Sequence, residues 1–168
     1  LFFVFLIFVL GLYLRLIGIN KPEGLWYDEL YSYNIARSSF PFGILDKIYH
    51  DDYHAPLYYL ILHFWMRLFG DGDIILRLFS VVFGVLIIPV FYLAGKELGS
   101  KKTGYFAAGL AAINQFLIYY SQEVRFYSLL ALFGALSVLF IIRIRSNPSR
   151  INFAGLILSN IIILYIST

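Results

Sequence analysis

Five apolar runs, at residues 1–18, 74–94, 104–120, 126–142 and 151–168, each come near the ~20 residues that a helix needs to cross a bilayer. Hydrophobic residues make up 61% of the chain and charged residues 14%, where a soluble domain carries ~25% charged residues. These two features predict an all-α, polytopic transmembrane bundle. There is no cysteine, which excludes disulfides and thiolate metal sites. The formal charge of +3 gives no reason to expect nucleic acid, because basic residues of membrane proteins mostly serve topology. No Gly-rich phosphate loop, Gly-x-Ser-x-Gly elbow or His-Glu-x-x-His helix occurs, so an ATP-driven pump or a metalloprotease is not encoded here. The run at Leu1 starts without a Met or a basic leader, and Thr168 closes another apolar run. The chain therefore reads as the N-terminal part of a longer protein.

A sixth apolar stretch, residues 55–69, is shorter. As a helix it would be ~22 Å long, less than the ~30 Å hydrocarbon core. Tyr59, His63 and Arg67 fall at i, i+4 and i+8 and so share one face. That pattern predicts an amphipathic juxtamembrane helix at the interface or lining a cavity. With this stretch left out of the membrane, Lys96, Lys101 and Lys102 fall on the same side as Arg143, Arg145 and Arg150. The positive-inside rule then puts both basic loops in the cytoplasm. The loop 19–73 and the turn at residues 121–125 face outside, together with every acidic residue except Glu97. Pro89 is expected to kink the second span by freeing the carbonyl of Val85. Gly104, Ala107, Ala108 and Ala111 give the third a small-residue face for close packing. Asn114 and Gln115 are expected to hydrogen-bond across helices.

Three constellations carry possible chemistry. Trp26-Tyr27-Asp28-Glu29 puts two adjacent carboxylates among aromatics just past the first span. Ionised groups at a membrane are costly and tend to be functional. Asp28 can accept a proton from a hydroxyl nucleophile while Glu29 positions or tunes it, since neighbouring like charges hinder each other's ionisation. The same pair would also suit the start of a helix, where acids meet the positive end of the dipole. His50-Asp51-Asp52-Tyr53-His54 offers Asp51, Asp52 and His54 as candidate ligands for a divalent metal, and equally reads as a solvated loop. In Tyr119-Tyr120-Ser121-Gln122-Glu123-Val124-Arg125-Phe126-Tyr127, Arg125 suits a phosphate. The alternative is an aromatic belt with a snorkelling arginine. Arg77, at the start of the second span, carries the same two readings.

The order of these motifs is also familiar. Trp26-Tyr27-Asp28-Glu29 is followed by His54-Ala55-Pro56-Leu57-Tyr58-Tyr59-Leu60, by Arg77-Leu78-Phe79-Ser80 with Gly84, and by Tyr119-Tyr120-Ser121-Gln122-Glu123-x-Arg125-x-Tyr127. The chain resembles the polyprenyl-phosphate-sugar-dependent glycosyltransferases of the GT-C superfamily. The nearest branch looks like bacterial and archaeal relatives of dolichyl-phosphate-mannose protein mannosyltransferases and of the aminoarabinose transferase that modifies lipid A. Relatives often read His-Pro-Pro where this chain has His54-Ala55-Pro56. The resemblance spans essentially the whole chain and corresponds to the N-terminal half or less of a typical member.

The resemblance implies a GT-C helical bundle with juxtamembrane helices in the first external loop. It implies an integral membrane enzyme of a bacterial or archaeal plasma membrane, acting on the external face. The donor would be a polyprenyl-phosphate sugar, and the acceptor a hydroxyl on a protein, lipid or glycan. Transfer would proceed with inversion. Asp28 matches the family's catalytic acidic residue in the first loop, the expected general base, and Glu29 its neighbour. Arg125 and Arg77 are the expected partners of the donor phosphate. His54, Tyr59, Gln122, Glu123 and Tyr127 are substrate-site candidates, and a divalent metal is possible. A transporter fragment or a non-catalytic membrane scaffold would share the spans. A transporter predicts inverted repeats or broken helices meeting at mid-membrane. A scaffold leaves the acids and histidines crowded into the first loop unexplained.

Overall fold

The computed structural model describes residues 2–51 and 55–167, and nine helices with no strand account for most of them. α1 (Phe2–Leu16) leads into a loop that holds three short helices, α2 (Tyr27–Ala36), α3 (Phe42–Asp51) and α4 (Leu57–Phe69). Then come α5 (Asp73–Leu98), α6 (Lys101–Ile113), α7 (Gln115–Ser121), α8 (Tyr127–Ser146) and α9 (Arg150–Ser167). α5 and α8 are long and apolar enough to cross a bilayer, and α1, α4 and α9 are shorter apolar helices. Phe3, Phe106, Val138 and Ile157 are more than half exposed. Apolar surface on that scale is a liability in water and ordinary against lipid. The chain is a helical membrane bundle.

α5 is the central helix and packs against α1, α4, α6, α7 and α8. The small residues of α6 allow its close approach. A Cβ on Gly104 would lie 2.7 Å from the Tyr92 carbonyl oxygen, and one on Gly95 would lie 2.9 Å from the Ala107 methyl. At the Asp28 end, Tyr58 and Leu62 of α4, Ile35 of α2 and Ile44 of α3 join Phe79, Val124, Leu129 and Ile166 in one buried cluster. The loop helices therefore sit on the bundle as a packed cap, and they hold the site in place.

One expectation needs correction. The run 104–120 is not one helix, because the chain breaks at Asn114 (ψ 117°) into α6 and α7. Asn114 does not reach across helices. Its Oδ1 accepts the Leu117 N–H at 3.0 Å and caps α7, as a side chain at that position should. The helix expected over 55–69 is present as α4, and of the two placements open to its polar face, interface or cavity, the structure takes the cavity. Tyr59 and His63 are buried, and His63 donates Nδ1–H to the Ala36 carbonyl at 2.7 Å. Arg67 alone of the three is exposed. His63 and Arg67 line a cavity of about 240 Å³ with Arg37 and Asp71.

Candidate active site

The neighbouring acids of α2 part company in space. α2 starts at Tyr27, so Asp28 and Glu29 lie in its first turn, one on each side of the helix surface. Glu29 is completely buried and Asp28 is half-buried. The Glu29 carboxylate meets the Arg77 guanidinium at both ends, accepting Nε–H at Oε1 (2.9 Å) and Nη2–H at Oε2 (2.7 Å). Oε1 also accepts the backbone N–H of Val124 at 3.1 Å. Oε2 accepts the Trp26 N–H at 3.3 Å, half of a capping box. Arg77 is equally engaged. Two further N–H groups go to the carbonyls of Ile19 (3.1 Å) and Gly24 (2.6 Å). A bidentate, fully hydrogen-bonded pair is the form in which buried charges are tolerated.

The consequence is geometric. One carboxylate joins the loop after α1, the start of α2, the first turns of α5 and the α7–α8 turn. Arg77, expected beside a donor phosphate, is buried and spends its Nε–H and one Nη2–H on Glu29, and Glu29, expected to position or tune Asp28, is held by the same pair. Both belong to the frame.

Asp28 has the opposite surroundings. Its carboxylate makes no hydrogen bond or ion pair with the described residues. Its backbone carbonyl accepts the Ser32 hydroxyl at 3.0 Å, which steadies the turn. Arg125 follows Val124 directly, so the Glu29–Val124 bond places it. Arg125 is 8% exposed, and its Nε–H has no hydrogen-bond acceptor among the described residues. Its guanidinium carbon lies 5.5 Å from the Phe126 ring centre and 5.7 Å from that of Tyr127, within cation–π range. Burial works against its charge, yet a hydrogen bond to the Tyr127 oxygen and the nearby Asp28 carboxylate hold its pKa above the ordinary arginine value. The result is a buried cation with an unused donor beside a free carboxylate.

Of the other candidates, Glu123 is 2% exposed. Burial pushes its carboxyl up from the ordinary value, against a hydrogen bond from the Tyr119 hydroxyl and the charge of Lys21. Its backbone carbonyl accepts from Ser80 and from the Arg125 N–H. Tyr127 flanks Arg125. Tyr59 lies buried in the cap cluster. Gln122 faces the end of α1, where its amide donates to the Arg15 carbonyl (3.1 Å) and the Ile17 carbonyl (2.6 Å). Asp52 and His54 lie outside the described residues, as does the side chain of Asp51. The metal expectation therefore rests on sequence alone, and no group of three metal-ligating side chains occurs among the described residues.

With this geometry in hand, a comparison with known families is decisive. Residues 53–163 match the model of the dolichyl-phosphate-mannose-protein mannosyltransferase family, about two thirds of the chain. The chain belongs to this family. Mannosyltransferases of this type are membrane glycosyltransferases that use polyprenyl-phosphate sugars, so a donor of that kind and an acceptor at the membrane are the substrate classes in question. The family match covers the Arg77 helix and the Glu123–Arg125 turn but begins after Asp28. No curated protein and no solved structure matches the chain.

Arg15 is a buried charge that its place in the sequence conceals. It looks like a flanking charge at the end of an apolar run, whereas the structure buries it completely.

Proposed function

We propose that the protein transfers a sugar from a polyprenyl phosphate to an acceptor hydroxyl, with inversion, at the bundle end that carries Asp28. The observation that carries this reading is the division between the two acids. Glu29 is locked to Arg77 and Val124, and Asp28 is left free beside Arg125. The charge asymmetry of the loops supports an external location for this end.

Inverting transfer needs a base on one face of the sugar and a leaving group on the other. The acceptor oxygen attacks the anomeric carbon and forms the new glycosidic bond, its proton passing to the Asp28 carboxylate. The bond between the anomeric carbon and the phosphate oxygen breaks, and its electron pair leaves with the polyprenyl phosphate. The role of the base is that of the carboxylate in inverting hydrolysis, with an acceptor hydroxyl in place of water. A phosphate needs little acid assistance as a leaving group when a fixed cation receives its charge. The unused Nε–H of Arg125 is suited to that task. Glu123 and Tyr127 border the same turn and hold Arg125 from either side.

The test is consumption of labelled polyprenyl-phosphate sugars by the purified protein in nanodiscs, with Asp28→Asn alongside. Release of sugar from one donor, lost in Asp28→Asn with folding intact, is the expected result. A variant that turns over near the normal rate would overturn the base assignment.

A further inference from the structure

We propose that Arg15, together with Ser121 and Gln122, is a positioning lock that sets where Arg125 meets the donor phosphate; the inference rests on the phosphate role given to Arg125 above. Arg15 stands at the end of α1 and is 0% exposed. Among the described residues no carboxylate is bonded to it. Instead its guanidinium donates to the carbonyls of Gly11 (2.9 Å), Ala112 (3.2 Å) and Ala111 (3.2 Å), and to Ser121 Oγ (3.3 Å).

Those acceptors explain the charge. α6 stops at Ile113, so the carbonyls of its last turn lack helical partners. Ala111 and Ala112 belong to that turn, and a cation there also meets the negative end of the helix dipole. Ser121 is the last residue of α7, and its hydroxyl donates back to the Leu117 carbonyl. One guanidinium thus spans the break between α6 and α7 and grips both pieces.

The tie is reciprocal. Gln122 returns its amide to the carbonyls that end α1, at Arg15 and Ile17. Gly84 of α5 makes room for the arrangement, because a Cβ there would overlap Ser121 Oγ and approach Arg15 Nε at 3.3 Å. From Gln122 the chain runs three residues to Arg125, through a turn closed by Arg125 N–H to the Glu123 carbonyl at 2.8 Å. Shifting the end of α7 therefore moves Arg125. A packing role alone needs no charge at this depth, where an unpaired cation is costly. A guanidinium does what an apolar side chain cannot, fixing four acceptors on three helices in one plane.

The experiment compares wild type, Arg15→Met, Arg15→Lys and Gln122→Leu in nanodiscs. It reads the Kd for a sugar-free polyprenyl monophosphate and the KM for the donor, both on the folded fraction. A shift of about 1 Å in a positioning group can cost up to a hundredfold, so Arg15→Met should raise Kd and KM about tenfold or more. Arg15→Lys should recover part of the loss, because an ammonium can still donate to the carbonyls, and the acceptor KM should stay unchanged. Gln122→Leu leaves Arg15 itself in place and should raise Kd in the same direction even if Arg15→Met fails to fold. Unchanged Kd and donor KM in the folded variants would overturn the lock and leave packing only. Wild type that binds the monophosphate without consuming any donor would overturn the transfer reading and not the lock. Wild type that binds none would overturn both.

Discussion

Asp28 and Glu29 are adjacent in sequence and sit in opposite worlds. Each Glu29 carboxylate oxygen accepts two hydrogen bonds, one from Arg77 and one from a backbone N–H, of Val124 or Trp26. The Asp28 carboxylate has no hydrogen bond or ion pair among the described residues and acts on Arg125 only through its charge, while Arg125 keeps an unbonded Nε–H. The contrast teaches that a buried, satisfied pair can serve as the jig for an unsatisfied one. An unmatched polar group near apolar surroundings costs free energy, and the cost is sustainable only where rigid neighbours prevent the group from finding a partner. The bonds of Glu29 fix the backbone on both sides of the pair, at the start of α2 next to Asp28 and at Val124 next to Arg125.

Breaking the frame should give the largest effect. Arg77→Met leaves the Glu29 charge buried and alone, which should cost about 3–5 kcal/mol and appear as a large drop in thermal midpoint. Adding Glu29→Leu to it removes the orphaned charge and should recover much of that loss, because replacing both partners is far milder than removing one. Turnover should stay low in the double variant, since the Val124 tie is gone. Recovery of stability together with full turnover would show that the frame does not position the site.

On the open side the effect should be smaller and confined to the donor. Arg125→Lys keeps the charge but loses the planar fork, and should raise donor KM about tenfold, some 1.4 kcal/mol, with the thermal midpoint nearly unchanged. An equal change in acceptor KM would place Arg125 elsewhere in the reaction. The smallest effect concerns Glu123. Its folded-state pKa is raised by burial, so the fold binds that proton more tightly than the unfolded chain does. Stability should therefore fall as pH rises from the ordinary carboxylate range through the raised value. Denaturation midpoints measured across this window should fall less steeply in Glu123→Gln. Equal slopes would mean the carboxyl is not buried in its ionised form.

Much of the bundle was legible in advance, because helices in lipid must be long and apolar. The runs at 74–94 and 126–142 became α5 and α8, and the stretch at 55–69 became α4. The tight face of α6 followed from its small residues. The break at Asn114 was misread, since a polar pair inside an apolar run looks the same whether it bonds across helices or caps a new one, and hydropathy does not register that Arg15 can take over the carbonyls a helix end leaves unpaired. The different fates of Asp28 and Glu29 were hidden for a related reason. Which acid is buried depends on Arg77, 48 residues away, and Val124, 95 residues away, and no local pattern encodes such partners. The placement of Tyr59 and His63 stayed open between interface and cavity because a polar stripe at helical spacing looks the same whether it meets water or the Ala36 carbonyl.

The most direct test of the account sets Asp28→Asn against Glu29→Gln in the same nanodisc preparation, measuring thermal midpoint and donor turnover for each. The account predicts a crossed pattern. Asp28→Asn should lose turnover by about 10²–10⁴-fold, the usual contribution of a general base, with its midpoint unchanged. Glu29→Gln should lose several degrees of midpoint, with turnover per folded molecule falling less than in Asp28→Asn. Asp28→Asn with near-normal turnover, or Glu29→Gln with an unchanged midpoint and abolished turnover, would contradict the division of labour between the two acids.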